Sequence, residues 1–123
     1  MILLDSNIVI YAAEPEYKKL RKWLRNRSIA ISELTKLEVL GYHRIAEDEL
    51  QWFTGFFDNV ESIRISTDII EAGIPIRRLY KMTLGDCVIA ATALIHNLEL
   101  CTNNQKDFEK VEKLRMTEVE KYL

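Results

Sequence analysis

The sequence predicts an α/β fold of three layers, α/β/α, with a central parallel sheet of four to five strands. Three observations lead there. Short, almost wholly apolar segments recur along the chain, the kind found in strands buried on both faces. Each is followed by a polar turn and then by a longer stretch with apolar residues at helical spacing. Only 4 Gly and 2 Pro leave little room for irregular linkers. Strands separated by helical segments require crossover connections, which cover both faces of a parallel sheet.

Taken in order, residues 2–4 ("ILL") form the first strand, ended by the polar "DSN". "IVIYAAE" (8–14) predicts a short helix, and "PEYKKLRKWLRNR" (15–27) a second, basic one with Pro15 near its start, where a missing N–H does no harm. Tyr17, Leu20, Trp23 and Leu24 are its inward stripe. "SIAIS" (28–32) is the second strand, followed by helices over 33–45 and 47–60. "ESIRIS" (61–66) is the third strand, and 67–82 is helical, with Pro75 predicting a kink or break. "LGDCVIAATALIHN" (84–97) is the most apolar helix, with Asn97 as its C-cap. "LELCT" (98–102) is the fourth strand, "NNQKDFEKV" (103–111) a turn into a short helix, and residues 114–116 offer one more strand. No repeat or linker divides the chain, so residues 1–123 are expected to form a single domain.

Hydrophobic residues at 48% and charged residues at 29% are ordinary for a folded domain, and a formal net charge of -2 argues against wholesale coating of a polyanion. Cys87 and Cys101 lack metal-ligand spacing and read as buried free thiols. "ILL" is cut off by Asp5 before a signal-peptide core can form, and "VIAATALI" falls far short of the roughly 20 residues a bilayer span needs. The expectation is a cytoplasmic protein with no membrane contact.

Asp5 is the interruption that needs explaining. In open parallel sheets, ligands bind in the crevice outside the carboxyl ends of the strands. Asp5 ends strand one, Glu38 lies on the helix after strand two, and Asp107 lies in the turn after strand four. Asp86 joins them if its helix runs antiparallel to that strand. Each acid also has an ordinary reading. Asp5 and Asp107 could be N-caps, Asp86 could complement its helix dipole, and Glu38 completes "TKLE", a capping-box pattern. Four carboxylates at one edge, however, repel each other and resist desolvation unless a cation is present. An all-oxygen set suits Mg²⁺ or Mn²⁺.

"LLDSNIVIY", "SELTKLEVLGY", "LGDCVIAATALIHNLEL" and "CTNNQKDFEKV", in that order, resemble the successive motifs of PIN-domain ribonucleases, most closely the toxin subunit of VapBC-type toxin–antitoxin pairs. The resemblance implies a Mg²⁺-dependent endoribonuclease whose acids are Asp5, Glu38, Asp86 and Asp107. Asp5 and Asp86 would be the direct ligands, with Glu38 and Asp107 acting directly or through water. Ser6, Asn7, Thr102 and Asn104 match the polar residues that orient them. Ser6 stands where the family more often has Thr, and Asn103 where it often has Arg. The resemblance further implies an RNA substrate, a cognate antitoxin and a homodimer.

Lys18, Lys19, Arg21, Lys22, Arg25 and Arg27 are the candidate phosphate-tracking face, unless they are simply the solvated side of an amphipathic helix. Trp52, Phe53, Phe56 and Phe57 serve either the core or a dimer or antitoxin surface. His43 and His96 lie outside the motifs. A non-catalytic PIN-like module that binds RNA or protein is the rival function. A phospho-aspartate receiver would need an acceptor after strand three, where "RIST" offers none.

Overall fold

A computed structural model of the chain describes residues 1–123. Its four strands are β1 (Ile2–Leu4), β2 (Ile29–Ser32), β3 (Glu61–Ile63) and β4 (Glu99–Cys101). All pair in parallel, in the order β3-β2-β1-β4. The register sets Leu3 opposite both Ala30 and Leu100. Because side chains alternate across a strand, Leu3, Ala30, Ile63 and Leu100 enter one core. Ile2, Leu4, Ile31 and Cys101 enter the other.

Helices α1 (Ser6–Ala13), α2 (Lys18–Leu24), α3 (Glu33–Leu40) and α4 (Glu47–Asp58) cover the second face, anchored by Ile8, Leu20, Val39 and Phe53 among others. Helices α5 (Thr67–Tyr80), α6 (Leu84–Ile95) and α7 (Gln105–Phe108) cover the first. This is the expected three-layer α/β/α fold. The strand order reverses at β1, which places a switch point between the carboxyl ends of β1 and β4.

Several boundaries differ from expectation, each for a local reason. Asp5 already caps α1, so that helix starts at Ser6. The basic segment splits into a one-turn 3-10 helix (Pro15–Tyr17) and α2. Helix α3 stops at Leu40 rather than reaching residue 45, because Gly41 is a poor helix former. A Cβ at Gly41 would also lie 2.5 Å from the Leu37 carbonyl oxygen. Strand β3 ends at Ile63 because Ser66 is taken as the cap of α5.

Helix α5 continues through Pro75 without a break. Pro75 and Glu71 are both exposed, so the carbonyl that loses its N–H partner is left on the solvent side. Helix α6 ends at Ile95 with His96, rather than the expected Asn97, as its C-cap, and Asn97 follows in the left-handed region at φ 53°. The Leu98 N–H bonds the Ala93 carbonyl at 2.9 Å, a Schellman closure that feeds the chain straight into β4. The tail adds one parallel rung, Leu100 to Met116, instead of a full fifth strand.

Candidate active site

Asp5 stands where β1 gives way to α1, with extended backbone and only 7% exposure. Its Oδ1 accepts the Ile8 N–H at 3.0 Å, so the capping reading is correct as far as it goes. Its Oδ2 accepts the hydroxyl of Thr102, which is fully buried at the end of β4. Thr102 in turn accepts the Asn104 N–H at 2.9 Å. Burial, reinforced by the charge of Asp86, raises the Asp5 pKa above the ordinary aspartate value against the pull of these hydrogen bonds.

Asp86 lies in the first turn of α6, where Thr83 is the cap and accepts the Asp86 N–H at 3.2 Å. Its pKa is raised too, mainly by burial and further by the charge of Asp107. Glu38 is exposed and is not part of a capping box. Ser32 caps α3 by accepting the Leu34 N–H, and Thr35 lies inside the helix, fully buried. Glu38 instead accepts from Ser6 Oγ at 3.0 Å, and Ser6 Oγ lies 3.2 Å from Thr35 Oγ1. Asp107 does not cap its helix either: α7 begins two residues earlier. Its carboxylate accepts from Asn104 Nδ2 at 2.6 Å.

Three of the polar residues singled out in the sequence therefore hold an acid each: Thr102 with Asp5, Ser6 with Glu38, Asn104 with Asp107. Asn7 is exposed on α1. Sequence reasoning missed Thr35 and Thr83. The "TKLE" spacing that suggested a capping box was the signal for Thr35, since positions three apart share a helix face.

The acids do not form a closed cage, since no three His, Cys, Asp or Glu side chains converge on one point. The donor set nevertheless fits Mg²⁺, which is usually held by one or two carboxylates and keeps several waters. Asp5 and Asp86, whose charge raises the proton affinity of Asp5, are the pair that fits direct contact. Cys101, beside Asp5, offers no nucleophile: burial and the Asp5 charge push its thiol up to about 12.

The basic helix lies elsewhere. Arg21, Arg25 and Arg27 line a cleft of about 840 Å³ with Met1, Ser28 and Glu61, which mark the amino ends of three strands. That is the edge opposite Asp5, so these three arginines do not adjoin the acids. Arg21 is occupied by the carbonyls of Ala12, Glu14 and Pro15, and Arg27 sits 4.7 Å over the Trp23 ring. Across the cleft, Trp52 and Phe56 stack with ring centroids 5.5 Å apart, while Phe53 and Phe57 are buried in the core.

The PIN domain family model matches residues 2–114. The chain belongs to the PIN-domain family. This PIN domain is 33% identical over 127 residues to Ribonuclease VapC10 of Mycobacterium tuberculosis, covering 94% of this chain and 91% of that protein. A toxin–antitoxin complex from Klebsiella pneumoniae contains a chain 32% identical to it, with a TM-score of 0.76 and coverage of 93% and 95%. VapBC2 from Rickettsia felis, bound to a DNA fragment from its promoter, aligns with a TM-score of 0.83 at 25% identity, covering 95% and 98%. No helix of this PIN domain is long and apolar enough to cross a membrane.

Proposed function

We propose that this PIN domain is a Mg²⁺-dependent endoribonuclease, able to use Mn²⁺, and the toxin of a toxin–antitoxin pair. The observation that carries the reading is Asp5: a buried carboxylate at the switch point, held by Thr102 and raised in pKa by burial and by Asp86. A residue needed only as a cap gains nothing from burial beside a second acid. The kinship with a named ribonuclease and with chains of toxin–antitoxin complexes supports the substrate class and the partner.

Asp5 and Asp86 would hold the ion directly, with Glu38 and Asp107 acting through water. A cation held by these acids would supply a lowered water pKa and charge neutralisation at the phosphodiester. The chain's own part is orientation. Thr102 fixes the Asp5 carboxylate from one side and the Ile8 N–H from the other, so the carboxylate is set before substrate arrives. Ser6 and Asn104 do the same for Glu38 and Asp107. The arginine and aromatic cleft at the opposite edge is assigned to the antitoxin rather than to RNA.

The test is cleavage of RNA by the purified protein with Mg²⁺ and with EDTA, beside Asp86→Asn. Activity that survives chelation sinks the metal mechanism. RNA binding without cleavage in either condition supports the non-catalytic module instead. Expression without the antitoxin should arrest growth, and Asp5→Asn should relieve the arrest.

A further inference from the structure

The turn between α3 and α4 carries three exposed side chains, Tyr42, His43 and Arg44, that neither the acids nor the basic cleft uses. Its place in the molecule follows from α3. That helix is capped by Ser32, at the carboxyl end of β2, and sets Thr35 and Glu38 against Ser6, the residue after Asp5. Gly41 ends it, with its N–H still bonded to the Leu37 carbonyl at 2.9 Å. Tyr42 follows Glu38 by four residues, about 6 Å of helix, and so stands beside the acidic edge of the sheet.

The turn is pinned at both ends. Gly41 admits the close approach of the Leu37 carbonyl, and the Ile45 N–H bonds the Tyr42 carbonyl at 3.2 Å while its side chain packs into the second core. Between these anchors the Tyr42 ring is 53% exposed. His43 meets it edge to face, with centroids 5.2 Å apart and planes at 64°. Such a contact covers at most one face of the tyrosine ring. Arg44 forms no ion pair within the chain, whose one salt bridge joins Arg115 to Glu99. A fixed, exposed aromatic with a free cation beside it holds single-stranded nucleic acid well: the ring stacks a base and the cation meets a phosphate. An edge with four carboxylates repels phosphates, so a strand crossing it needs a local cation, and Arg21, Arg25 and Arg27 line the other edge.

We propose that Tyr42 and Arg44 form a subsite for the RNA substrate, in which the free face of Tyr42 stacks one unpaired base near the cleaved bond and Arg44 contacts an adjoining phosphate. The proposal rests on the nuclease reading above and adds a contact that selects unpaired strand over duplex, since only an unstacked base can offer its face to a side chain. Because the turn is already ordered, binding need not order it.

The experiment uses a pool of short single-stranded RNAs of random sequence, each with one abasic residue at the same internal position, cut in Mg²⁺ and sequenced at the new ends. The wild type is expected to cut about tenfold less often at one fixed offset from the abasic residue, where the stacked base is missing. Tyr42→Ala, with folding confirmed by circular dichroism, should raise KM about tenfold and erase that gap. Tyr42→Phe should keep the wild-type KM and the gap, because stacking needs the ring and not the hydroxyl. Arg44→Gln should keep the gap and lower the slope of log KM against log salt by about 0.7, the loss of one phosphate contact. A wild type without the gap overturns the proposal, as does a gap that Tyr42→Ala leaves in place. Cleavage of cellular RNA but not of the pool overturns it alone, whereas cleavage of neither sinks the nuclease reading beneath it. If Tyr42→Ala weakens only antitoxin binding and leaves the cut pattern unchanged, the turn belongs to that partner and the proposal falls. If Tyr42→Ala does not fold, the wild-type gap and the Arg44→Gln slope decide.

Discussion

The two edges of the sheet carry opposite charge, and helix direction accounts for part of both. Helices α1, α3 and α6 begin at the carboxyl edge, capped by Asp5, Ser32 and Thr83. Their positive ends favour acids in the first turn. Helix α1 ends at the other edge, where Arg21 donates to its last carbonyls, as cations do at helix C-termini. Sign of charge alone therefore identifies neither edge as a site. What separates them is satisfaction. Arg21 and Arg27 each have a partner that accounts for their position. Asp5 is buried and Asp86 half-buried, and their hydrogen bonds do not offset the cost of burial.

The largest effect should come from breaking the acidic edge. Asp86→Asn keeps the backbone bond to Thr83 and should fold normally. It should lose more than about 100-fold in RNA cleavage, beyond the 10–100-fold typical of a residue that only orients a ligand. A loss under tenfold in a single-turnover assay would remove Asp86 from the site. Next comes the support of Glu38. Thr35→Val removes the buried hydroxyl beside Ser6 without changing volume much, and about a tenfold loss is expected. Thr35→Ser should restore most of the activity, whereas a purely packing role predicts the reverse ranking.

Asp5→Asn sharpens the comparison through stability. With its folded pKa raised, Asp5 favours the native state below the ordinary aspartate value of 3.8, and this contribution is lost as pH rises through the raised value. At neutral pH the charge is a burden, so Asp5→Asn should stabilise the metal-free protein by about 1 kcal/mol, read as a rise in Tm. Millimolar Mg²⁺ should stabilise the wild type by binding only the native state, and the variant much less. Equal Mg²⁺ shifts in thermal melts would reduce Asp5 to a cap. The smallest effect belongs to the basic edge. Arg25→Gln, an exposed change away from the acids, should leave stability within about 0.5 kcal/mol. RNA cleavage should be unaltered and antitoxin affinity lowered, and a matching fall in cleavage would return this edge to the substrate.

The sequence disclosed the fold well because its signals are local: apolar triplets, helical stripes and caps. Asp5, Asp86, Thr102 and Asn104 were legible because each sits beside a strand end or helix start that punctuation marks. Failures arose where a short pattern has two meanings. "TKLE" reads as a capping box, but Ser32 starts the helix three residues earlier and turns Thr35 inward. The cations of the basic helix were legible as a cluster, whereas the side of the sheet on which Arg21, Arg25 and Arg27 lie is set by tertiary packing, which composition does not encode.

The bond between Thr102 and Asp5 joins positions 97 residues apart. Strand β1 lies in the middle of the sheet and lacks its β4 neighbour until some 97 further residues, the separation of Asp5 and Thr102, have been made. Translation at about 5–20 residues per second leaves it waiting roughly 5–20 s. During that interval the ribosome carries a chain whose acidic edge is still incomplete. The order of strands delays assembly of the acidic edge, and a transcript cut short before the codon for Thr102 encodes a protein without the Thr102 support for Asp5.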